Sequence, residues 1–202
     1  MITIVDYGLG NIASIRNMIK KAGGESLITS DPAVVNKATK IIIPGVGSFG
    51  QGMKNLEERG LIDSLNEKVL KEKVPVLGIC LGMQLMTLHS EEGNRNGLGW
   101  IEAKTKKFDL PGLKVPHMGW SDIVVKQPSH PLFKNSAEEK RFYFVHSYAV
   151  HCSHTENILA QTEYGYLFDS MIVKDNIMGC QFHPEKSHKF GMNLLHNFVF
   201  EV

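Results

Sequence analysis

The chain has 202 residues, which suits one compact domain with a sizeable core. Its 22 basic residues nearly balance its 21 acidic ones, so no charge excess indicates a nucleic-acid or membrane surface. The amino terminus lacks the pattern of a signal peptide, and no apolar run reaches the roughly 18 residues of a membrane span. These features, with three cysteines, predict a cytoplasmic protein with free thiols and no nucleic-acid or membrane partner.

Short apolar runs alternate with helix patterns along the first half of the chain. Strands are predicted at residues 1–5, 26–29, 40–43 and 76–79. Helices are predicted from the N-cap Asn11 to Gly23, after Pro32, over residues 61–73, and from Cys80 to about residue 90. This alternation predicts a parallel sheet that is covered by helices on both faces.

Three unusual loops follow the predicted strands, at residues 6–11, 44–50 and 80–82. The carboxyl ends of parallel strands meet at one edge of a sheet, and ligands bind at that edge. We therefore expect these loops to form the functional site.

The second half contains shorter runs that are rich in valine, isoleucine, phenylalanine and tyrosine. Strands are predicted at residues 121–126, 141–145, 158–161, 170–173 and 177–182. The turn at 174–176 predicts a hairpin, and a final helix is predicted from Ser187. Without repeats or linkers, residues 1–202 are expected to form one α/β domain, with a mostly parallel central sheet flanked by helices and an antiparallel extension.

The segment Gly78-Ile79-Cys80-Leu81-Gly82 lies between a predicted strand and a predicted helix. Gly-x-Cys-x-Gly at such a junction is typical of a nucleophile elbow, a sharp turn that exposes the sulfur above the sheet. The helix start favours a thiolate, and the Leu81 N–H can hold a developing oxyanion. Taken alone, Cys80 reads more readily as a small buried hydrophobe. The two glycines and the strand-to-helix position favour the nucleophile.

The other two cysteines are expected to be structural. Cys180 ends an apolar run and is predicted to lie in the core. Cys152 lies in His151-Cys152-Ser153-His154, which lacks a second ligand pair and is expected to form an exposed turn. No metal site and no cofactor are predicted.

A cysteine nucleophile needs a histidine, and that histidine needs a group to orient it. Pro184 disfavours a helical His183, so His183-Pro184-Glu185 is predicted to be extended, with His183 and Glu185 on one side. The Glu185 carboxylate can then hold one imidazole nitrogen while the other faces Cys80. Alternatively, His183 is a histidine at a strand end and Glu185 an acid near a helix start. That reading does not explain why both occur with the cysteine elbow.

Six motifs stand out along the chain: Asp6-Tyr7-Gly8-x-Gly10-Asn11, Pro44-Gly45-Val46-Gly47-x-Phe49, Gly78-x-Cys80-Leu81-Gly82-Met83-Gln84, Pro116-His117-Met118-Gly119-Trp120, Tyr143-Phe144-Val145-His146-Ser147-Tyr148 and Gln181-Phe182-His183-Pro184-Glu185-Lys186-Ser187. Together they resemble the motifs of the triad-type, or class I, glutamine amidotransferases, which have a flavodoxin-like fold. More narrowly, the chain is similar over essentially its whole length to the glutaminase subunits of imidazole glycerol phosphate synthase in histidine biosynthesis.

The resemblance implies a role for each matching residue. Cys80, His183 and Glu185 would be catalytic, and Cys80 would attack the carboxamide of L-glutamine. An oxyanion hole would use the N–H of Leu81 and one from Val46 or Gly47, after a peptide flip. Glutamine would be bound by Gly45, Gln84 and Glu92 and by the backbone of Tyr143–Ser147. A synthase subunit with a β/α barrel would receive the ammonia in a heterodimer, at an interface that includes Asn11, Trp120 and Lys186.

Three alternatives remain open from the sequence. A related glutaminase subunit could supply ammonia to a sugar amidotransferase of surface polysaccharide biosynthesis. An inactive regulatory subunit would not need Cys80, His183 and Glu185 together. A free-standing cysteine hydrolase would be fully active alone, whereas the glycine-rich loop at 44–48 predicts an oxyanion hole that a partner switches on.

Overall fold

The computed structural model describes residues 1–202 as a mixed sheet of twelve strands, a separate two-stranded ribbon and six α-helices. The strands are β1 Ile2–Val5, β2 Ser26–Thr29, β3 Ile41–Ile43, β4 Val76–Ile79, β5 His89–Ser90, β6 Arg95–Asn96, β7 Ala103–Lys107, β8 His117–Asp122, β9 Val124–Val125, β10 Arg141–His146, β11 Tyr148–Cys152, β12 Ile158–Tyr164, β13 Tyr166–Lys174 and β14 Ile177–Cys180. The helices are α1 Ile12–Lys21, α2 Pro32–Val35, α3 Phe49–Glu58, α4 Leu61–Asn66, α5 Leu81–Leu85 and α6 His188–Phe200. A π-helical segment, Glu67–Lys71, continues α4, and short 3₁₀ turns occur at Pro131–Phe133, Thr155–Asn157 and Pro184–Lys186.

The central part of the sheet is parallel, with the strand order β2-β1-β3-β4-β14. Side chains alternate along each strand, so Ile42 enters one core while Ile41 and Ile43 enter the other. The first core also contains residues of α1 and α6, and the second contains residues of α3 and α4. The predicted parallel sheet with helices on both faces is therefore confirmed. None of the helices is both long and apolar enough to cross a membrane.

Antiparallel strands extend this sheet beyond β14. β13 pairs with β14 through the predicted hairpin, and β11 and β7 follow it. β8 and β10 form the separate ribbon, in which Trp120 lies opposite Tyr143. The predicted antiparallel extension is confirmed, but the single strand predicted at 121–126 is wrong. The chain changes partner at the buried Ile123, because β8 pairs with β10 whereas β9 pairs with β12.

Three further features differ from the prediction. α3 was not predicted, because Gly50 and Gly52 interrupt its pattern; Gly52 lets α3 approach the Leu85 side chain. β11 was also not predicted, and it includes Cys152. The helix predicted to run to about residue 90 ends at Leu85. It ends there because the Thr87 hydroxyl donates to the Gln84 carbonyl, and the chain then joins the sheet as β5.

Candidate active site

Cys80 lies at a sharp turn between β4 and α5, with a positive φ of 54°. Both neighbouring glycines are required by close contacts. A Cβ on Gly78 would lie 2.7 Å from the backbone of Gly82, and a Cβ on Gly82 would lie 1.8 Å from the Ile43 carbonyl oxygen. The Cys80 N–H donates to the Cys180 carbonyl at 2.7 Å, which ties the turn to β14. The sequence therefore folds locally into an elbow that fixes the position of the Cys80 sulfur.

His183 and Glu185 follow β14, the strand beside β4. Nδ1 of His183 lies 2.9 Å from Oε1 of Glu185, and both side chains are almost completely buried. His183 is extended, as predicted, but Glu185 lies in the 3₁₀ turn Pro184–Lys186. The predicted extension through Glu185 is therefore wrong. The turn is stabilised by Ser187, whose hydroxyl donates to the His183 carbonyl at 2.6 Å.

The environment of His183 favours its charged form. Burial lowers the pKa of His183, but interactions with the Cys80 sulfur and the Glu185 carboxylate outweigh burial and raise the pKa to about 9. Nε2 of His183 makes no well-aligned hydrogen bond within the chain. The imidazolium is thus held from one side by Glu185 and keeps an N–H for a group on the other side.

A cavity of about 230 Å³ opens beside these residues at the carboxyl edge of the parallel strands. Nine of the residues predicted for function line it: Val46, Gly47, Cys80, Leu81, Gln84, Glu92, Ser147, His183 and Lys186. Val145 and His146, which lie within the predicted backbone stretch Tyr143–Ser147, also line it. Tyr148 lines it too and was not among the predicted site residues. Two of the three loops predicted to form a site at this edge, those at residues 44–50 and 80–82, therefore meet there, whereas no residue of the loop at 6–11 lines the cavity.

Gly45 and Tyr143, which were predicted to bind glutamine, do not line this cavity. A Cβ on Gly45 would lie 2.6 Å from both the Leu81 Cβ and the Tyr7 hydroxyl, so Gly45 packs beneath the elbow. The carbonyl of Tyr143 accepts the N–H of His183 at 2.9 Å. Gly45 therefore supports the elbow by close packing, and Tyr143 holds the backbone of His183.

Two polar side chains in the cavity have partners on other elements. Oε2 of Glu92 accepts the N–H of Phe49 at 2.7 Å and so caps α3 next to the loop at 45–48. Gln84 donates from Nε2 to the Tyr148 carbonyl at 3.2 Å and to Gln181 Oε1 at 2.9 Å. The side-chain oxygen of Gln84, Oε1, makes no hydrogen bond within the chain and remains available as an acceptor.

The residues predicted for an interface lie around the turn at Pro184–Lys186. The Lys186 ammonium lies 5.8 Å from the centre of the Tyr143 ring, and Trp120 contacts the same ring edge-on at 6.2 Å. Trp120 is 39% exposed and stacks on His188. Asn11 occupies the N-cap position of α1, which packs against the turn, although its side chain makes no capping bond.

The remaining cysteines have surroundings unlike that of Cys80. Cys180 is completely buried, as predicted, and burial raises its pKa. The exposed turn predicted for Cys152 is wrong, because this residue ends β11 and its N–H donates to Asp169 at 2.8 Å. Burial and the neighbouring Asp169 raise the pKa of Cys152 well above its usual value.

Sequence reasoning missed the buried polar residues behind the cavity. Gln181 is fully buried and donates to the Cys80 sulfur, and His117 and His146 contact each other in the core. In the sequence, each of these residues is only a polar residue within an otherwise apolar strand or motif. That pattern does not show which group its side chain contacts.

The family model for class-I glutamine amidotransferases matches residues 3–202. The chain is 58% identical to the imidazole glycerol phosphate synthase subunit HisH 2 of Methanococcus maripaludis, and the match covers 98% of each chain. It is 48% identical to subunit HisH of Sulfurimonas denitrificans, over 98% of this chain and 97% of the relative. It is 46% identical to subunit HisH 2 of Pseudomonas aeruginosa, over 98% of each chain.

Solved structures with low sequence identity share the fold. A glutamine amidotransferase superimposes with a TM-score of 0.77 at 18% identity, over 98% of this chain and 97% of that one. The structure of PurLQS from Thermotoga maritima gives a TM-score of 0.77 at 15% identity, over 99% of this chain and 97% of that one. The predicted amidotransferase fold is therefore confirmed. The chain belongs to the class-I glutamine amidotransferases and, within them, to the HisH subunits of imidazole glycerol phosphate synthase.

Proposed function

We propose that this chain hydrolyses L-glutamine to glutamate and ammonia and passes the ammonia to a synthase subunit with a β/α barrel. The product of the heterodimer would be imidazole glycerol phosphate, in histidine biosynthesis. The observation that carries the proposal is the placement of Cys80 and His183 in one cavity, with Glu185 2.9 Å from the far imidazole nitrogen. The names of the relatives support the pathway and do not favour sugar amidation.

The reaction follows from the protonation states at this cavity. The Cys80 thiolate attacks the carboxamide carbon of glutamine and forms a tetrahedral intermediate. His183, whose pKa is raised to about 9, gives its Nε2 proton to the departing nitrogen, and ammonia leaves a thioester on Cys80. Neutral His183 then takes a proton from water, which attacks the thioester and releases glutamate. Glu185 keeps the proton on Nδ1 throughout.

The oxyanion of the tetrahedral intermediate needs N–H donors at the elbow. Leu81 is the first residue of α5, and the first N–H groups of a helix have no partner within it. The N–H groups of Val46 and Gly47 also make no hydrogen bond within the chain. Gly47 has a φ of 134°, which tolerates more than one peptide orientation. A loop that turns one of these N–H groups toward Leu81 would complete the oxyanion hole.

The rest of the cavity suits the charged end of glutamine. Glu92 supplies a carboxylate for the ammonium group, and the free oxygen of Gln84 accepts a further N–H. Lys186 and the backbone around Ser147 lie where the carboxylate of glutamine would need donors. A cavity that contains both an acidic and a basic side chain suits an amino acid, which carries both charges, better than an uncharged amide.

The exposed face around Trp120 would bind the synthase subunit. Met118 is 62% exposed and Trp120 39%, on the ribbon beside Lys186 and Tyr143. Aromatic residues in such surfaces often dominate binding. Partner binding would stabilise the active orientation of the loop at 45–48, because only a ligand with different affinities for two states shifts their balance.

The decisive experiment is reconstitution with the synthase subunit encoded in the same genome. We expect slow glutamine hydrolysis by the chain alone, and a large stimulation by that subunit with its nucleotide ligand. Expression in a bacterial strain that lacks its own glutaminase subunit, together with the cognate synthase, should restore growth without histidine. High activity without any partner would overturn the proposal in favour of a free-standing hydrolase. If only a sugar amidotransferase stimulated the chain, the result would place it in surface polysaccharide biosynthesis instead.

A further inference from the structure

A run of buried polar side chains leads from Cys80 through the core to the ribbon of β8 and β10. Gln181 directs its amide Nε2 at the Cys80 sulfur, 3.6 Å away, and accepts from Gln84 at 2.9 Å. We propose that Gln181 is a positioning residue for the nucleophile: its N–H holds the Cys80 sulfur and stabilises it as a thiolate. The proposal rests on the glutaminase function proposed above and adds a residue outside the set Cys80, His183 and Glu185.

The direction of the hydrogen bonds behind Gln181 is fixed by two neutral histidines. Burial lowers the pKa of His146 to about 3 and that of His117 to about 4, so both rings are uncharged near neutral pH. His146 Nδ1 lies 2.8 Å from the Tyr148 carbonyl, which can only accept, so Nδ1 carries the proton. Nε2 of His146 must then accept from Nδ1 of His117 at 3.1 Å. Nε2 of His117 in turn accepts from the Ser121 hydroxyl at 2.9 Å.

The Tyr148 carbonyl, which can only accept, also fixes the amide of Gln84. The Tyr148 carbonyl accepts from His146 on one side and from the Gln84 Nε2 on the other. A flipped Gln84 would place its own oxygen against that carbonyl and lose the bond. The Gln84 amide nitrogen therefore faces both Tyr148 and Gln181.

Gln181 has no alternative orientation either. Its Oε1 must face the Gln84 nitrogen, because the opposite arrangement would bring two N–H donors together. Its own nitrogen is thereby directed at Cys80 Sγ. Hydrogen bonds to an ionised acceptor are stronger than those to a neutral one, so this donor favours the thiolate over the thiol.

The titratable groups around Cys80 do not replace this donor. His183 supplies a positive charge, which depends on its own protonation and is lost above its pKa of about 9. The Tyr7 hydroxyl donates to Pro44, and the Cys180 thiol faces the Phe182 carbonyl. Glu92 and Lys186 share the cavity, and Glu185 acts behind His183. Gln181 is a neutral donor to the sulfur, so its hydrogen bond to the thiolate does not depend on the protonation state of His183.

The test compares the purified chain with the variant Gln181→Met, which keeps the length of the side chain and removes the donor. The rate of Cys80 alkylation by iodoacetamide is followed across pH by mass spectrometry. We expect the variant to react about tenfold more slowly at neutral pH, the loss expected for one hydrogen bond to a charged group. At alkaline pH the two rates should converge, because the sulfur is then ionised in both proteins. Equal rates at every pH, or an equal deficit at every pH, would overturn the proposal.

A matched control separates positioning from packing. Thr162→Val removes a buried hydrogen bond of 2.8 Å to Ser170, whose carbonyl accepts the Gln181 N–H. This variant should lower the melting temperature and leave the alkylation profile unchanged. If Gln181→Met does not fold, Gln181→Leu decides, because its apolar side chain suits the fully buried position and cannot donate to the sulfur. It should also react slowly at neutral pH, and a wild-type rate would refute the idea.

Steady-state kinetics with the synthase subunit keep the two proposals apart. In Gln181→Met, kcat should fall more than KM rises, because the residue does not line the cavity. A wild-type chain without glutaminase activity in the complex would refute the proposed function and leave the alkylation result standing. An active wild type with unaffected Gln181 variants would refute only the role of Gln181.

Discussion

The hydroxyl of Tyr7 donates a hydrogen bond of 2.6 Å to the carbonyl of Pro44 and so joins the ends of β1 and β3 beneath the cavity. Burial and the nearby Cys80 raise the pKa of Tyr7 well above its usual value, so the hydroxyl stays a donor at any working pH. Gly45 lies directly against this hydroxyl. The loop that carries Val46 and Gly47 is therefore anchored at its first residues and free only beyond them.

Tyr7→Phe should destabilise the fold and slow glutamine hydrolysis. The variant leaves the buried Pro44 carbonyl unpaired, which costs about 1–3 kcal/mol of unfolding free energy. Chemical denaturation and a glutaminase assay in the complex measure the two effects. Tyr164→Phe is the control, because it removes a bond of 2.7 Å to the exposed Lys114 carbonyl and should cost little. Equal stability of the two variants would contradict the anchoring role.

Cys80 should react with iodoacetamide or a glutamine-like alkylator before the other cysteines. The raised pKa values of Cys152 and Cys180 keep both thiols protonated near neutral pH. Mass spectrometry identifies the labelled residue. Cys80→Ser should abolish glutamine-dependent synthesis, while the complex still uses free ammonium salts. Preferential labelling of Cys152 without loss of activity would show that the nucleophile is assigned wrongly.

His183→Ala should lose more activity than Glu185→Ala, because only His183 transfers a proton. The loss for His183 is expected on the order of 10²–10⁴ in kcat. In the wild type, kcat/KM should fall above pH about 9, where the imidazolium of the free enzyme loses the proton that it gives to ammonia. Glu185→Gln removes one of the interactions that raise this pKa, so the alkaline fall should move to lower pH. If the alkaline decrease in activity stayed at the same pH in Glu185→Gln, these roles would be contradicted. They would also be contradicted if a well-folded Glu185→Ala lost more activity than a well-folded His183→Ala.

Trp120→Ala should weaken binding of the synthase subunit much more than it affects folding. The ring is partly exposed and stacks on His188, outside both cores. Truncation of a central interface tryptophan typically costs about 2 kcal/mol or more of binding free energy. Calorimetric titration and thermal melting give the two quantities. Leu167→Ala, at a 51% exposed residue of β13, is the control and should leave binding intact. A large fall in melting temperature with unchanged affinity would identify Trp120 as a folding residue instead.

Gly82→Ala should prevent stable folding, whereas Gly50→Ala should not. A Cβ at Gly82 would lie 1.8 Å from the Ile43 carbonyl oxygen, and backbone on both sides prevents relaxation. No atom lies within 4 Å of a Cβ at Gly50, which is in α3, so alanine there should stabilise by roughly 0.5–1 kcal/mol. Denaturation curves for the two variants test the contrast. A well-folded Gly82→Ala would mean that β3 and α5 can separate more easily than their contact indicates.

The parallel strands were predictable because each is a continuous apolar run that is buried on both faces. β2 and β4 have the predicted bounds. α3 was not predictable, because Gly50 and Gly52 are poor helix formers and are accepted only where α3 meets Leu85. The break at Ile123 was hidden as well, because it reflects a change of pairing partner, which the local pattern does not contain.

Some residues of the candidate site were likewise predictable from the sequence, and others were not. Cys80 and His183 were found because local chemistry marks them, with glycines around the first and a proline after the second. The predicted contact between His183 and Glu185 is present, but it arises from a 3₁₀ turn and not from an extended chain. The Ser187 hydroxyl stabilises that turn through its bond to the His183 carbonyl. Gln181 was missed because its partners, Gln84 and Cys80, are about one hundred residues away in sequence and meet it only when β14 pairs with β4.

The tight contact between Gly82 and Ile43 also limits what the elbow can reveal about other proteins. Gly78 and Gly82 are imposed by the packing of a strand, a turn and a helix, whatever chemistry occurs above them. A descendant that lost its activity would have to keep both glycines to remain folded, and it could change the cysteine between them freely. In a distant sequence, the paired glycines therefore report shared architecture. Only the cysteine and histidine side chains, Cys80 and His183 in this chain, indicate whether the reaction was inherited as well.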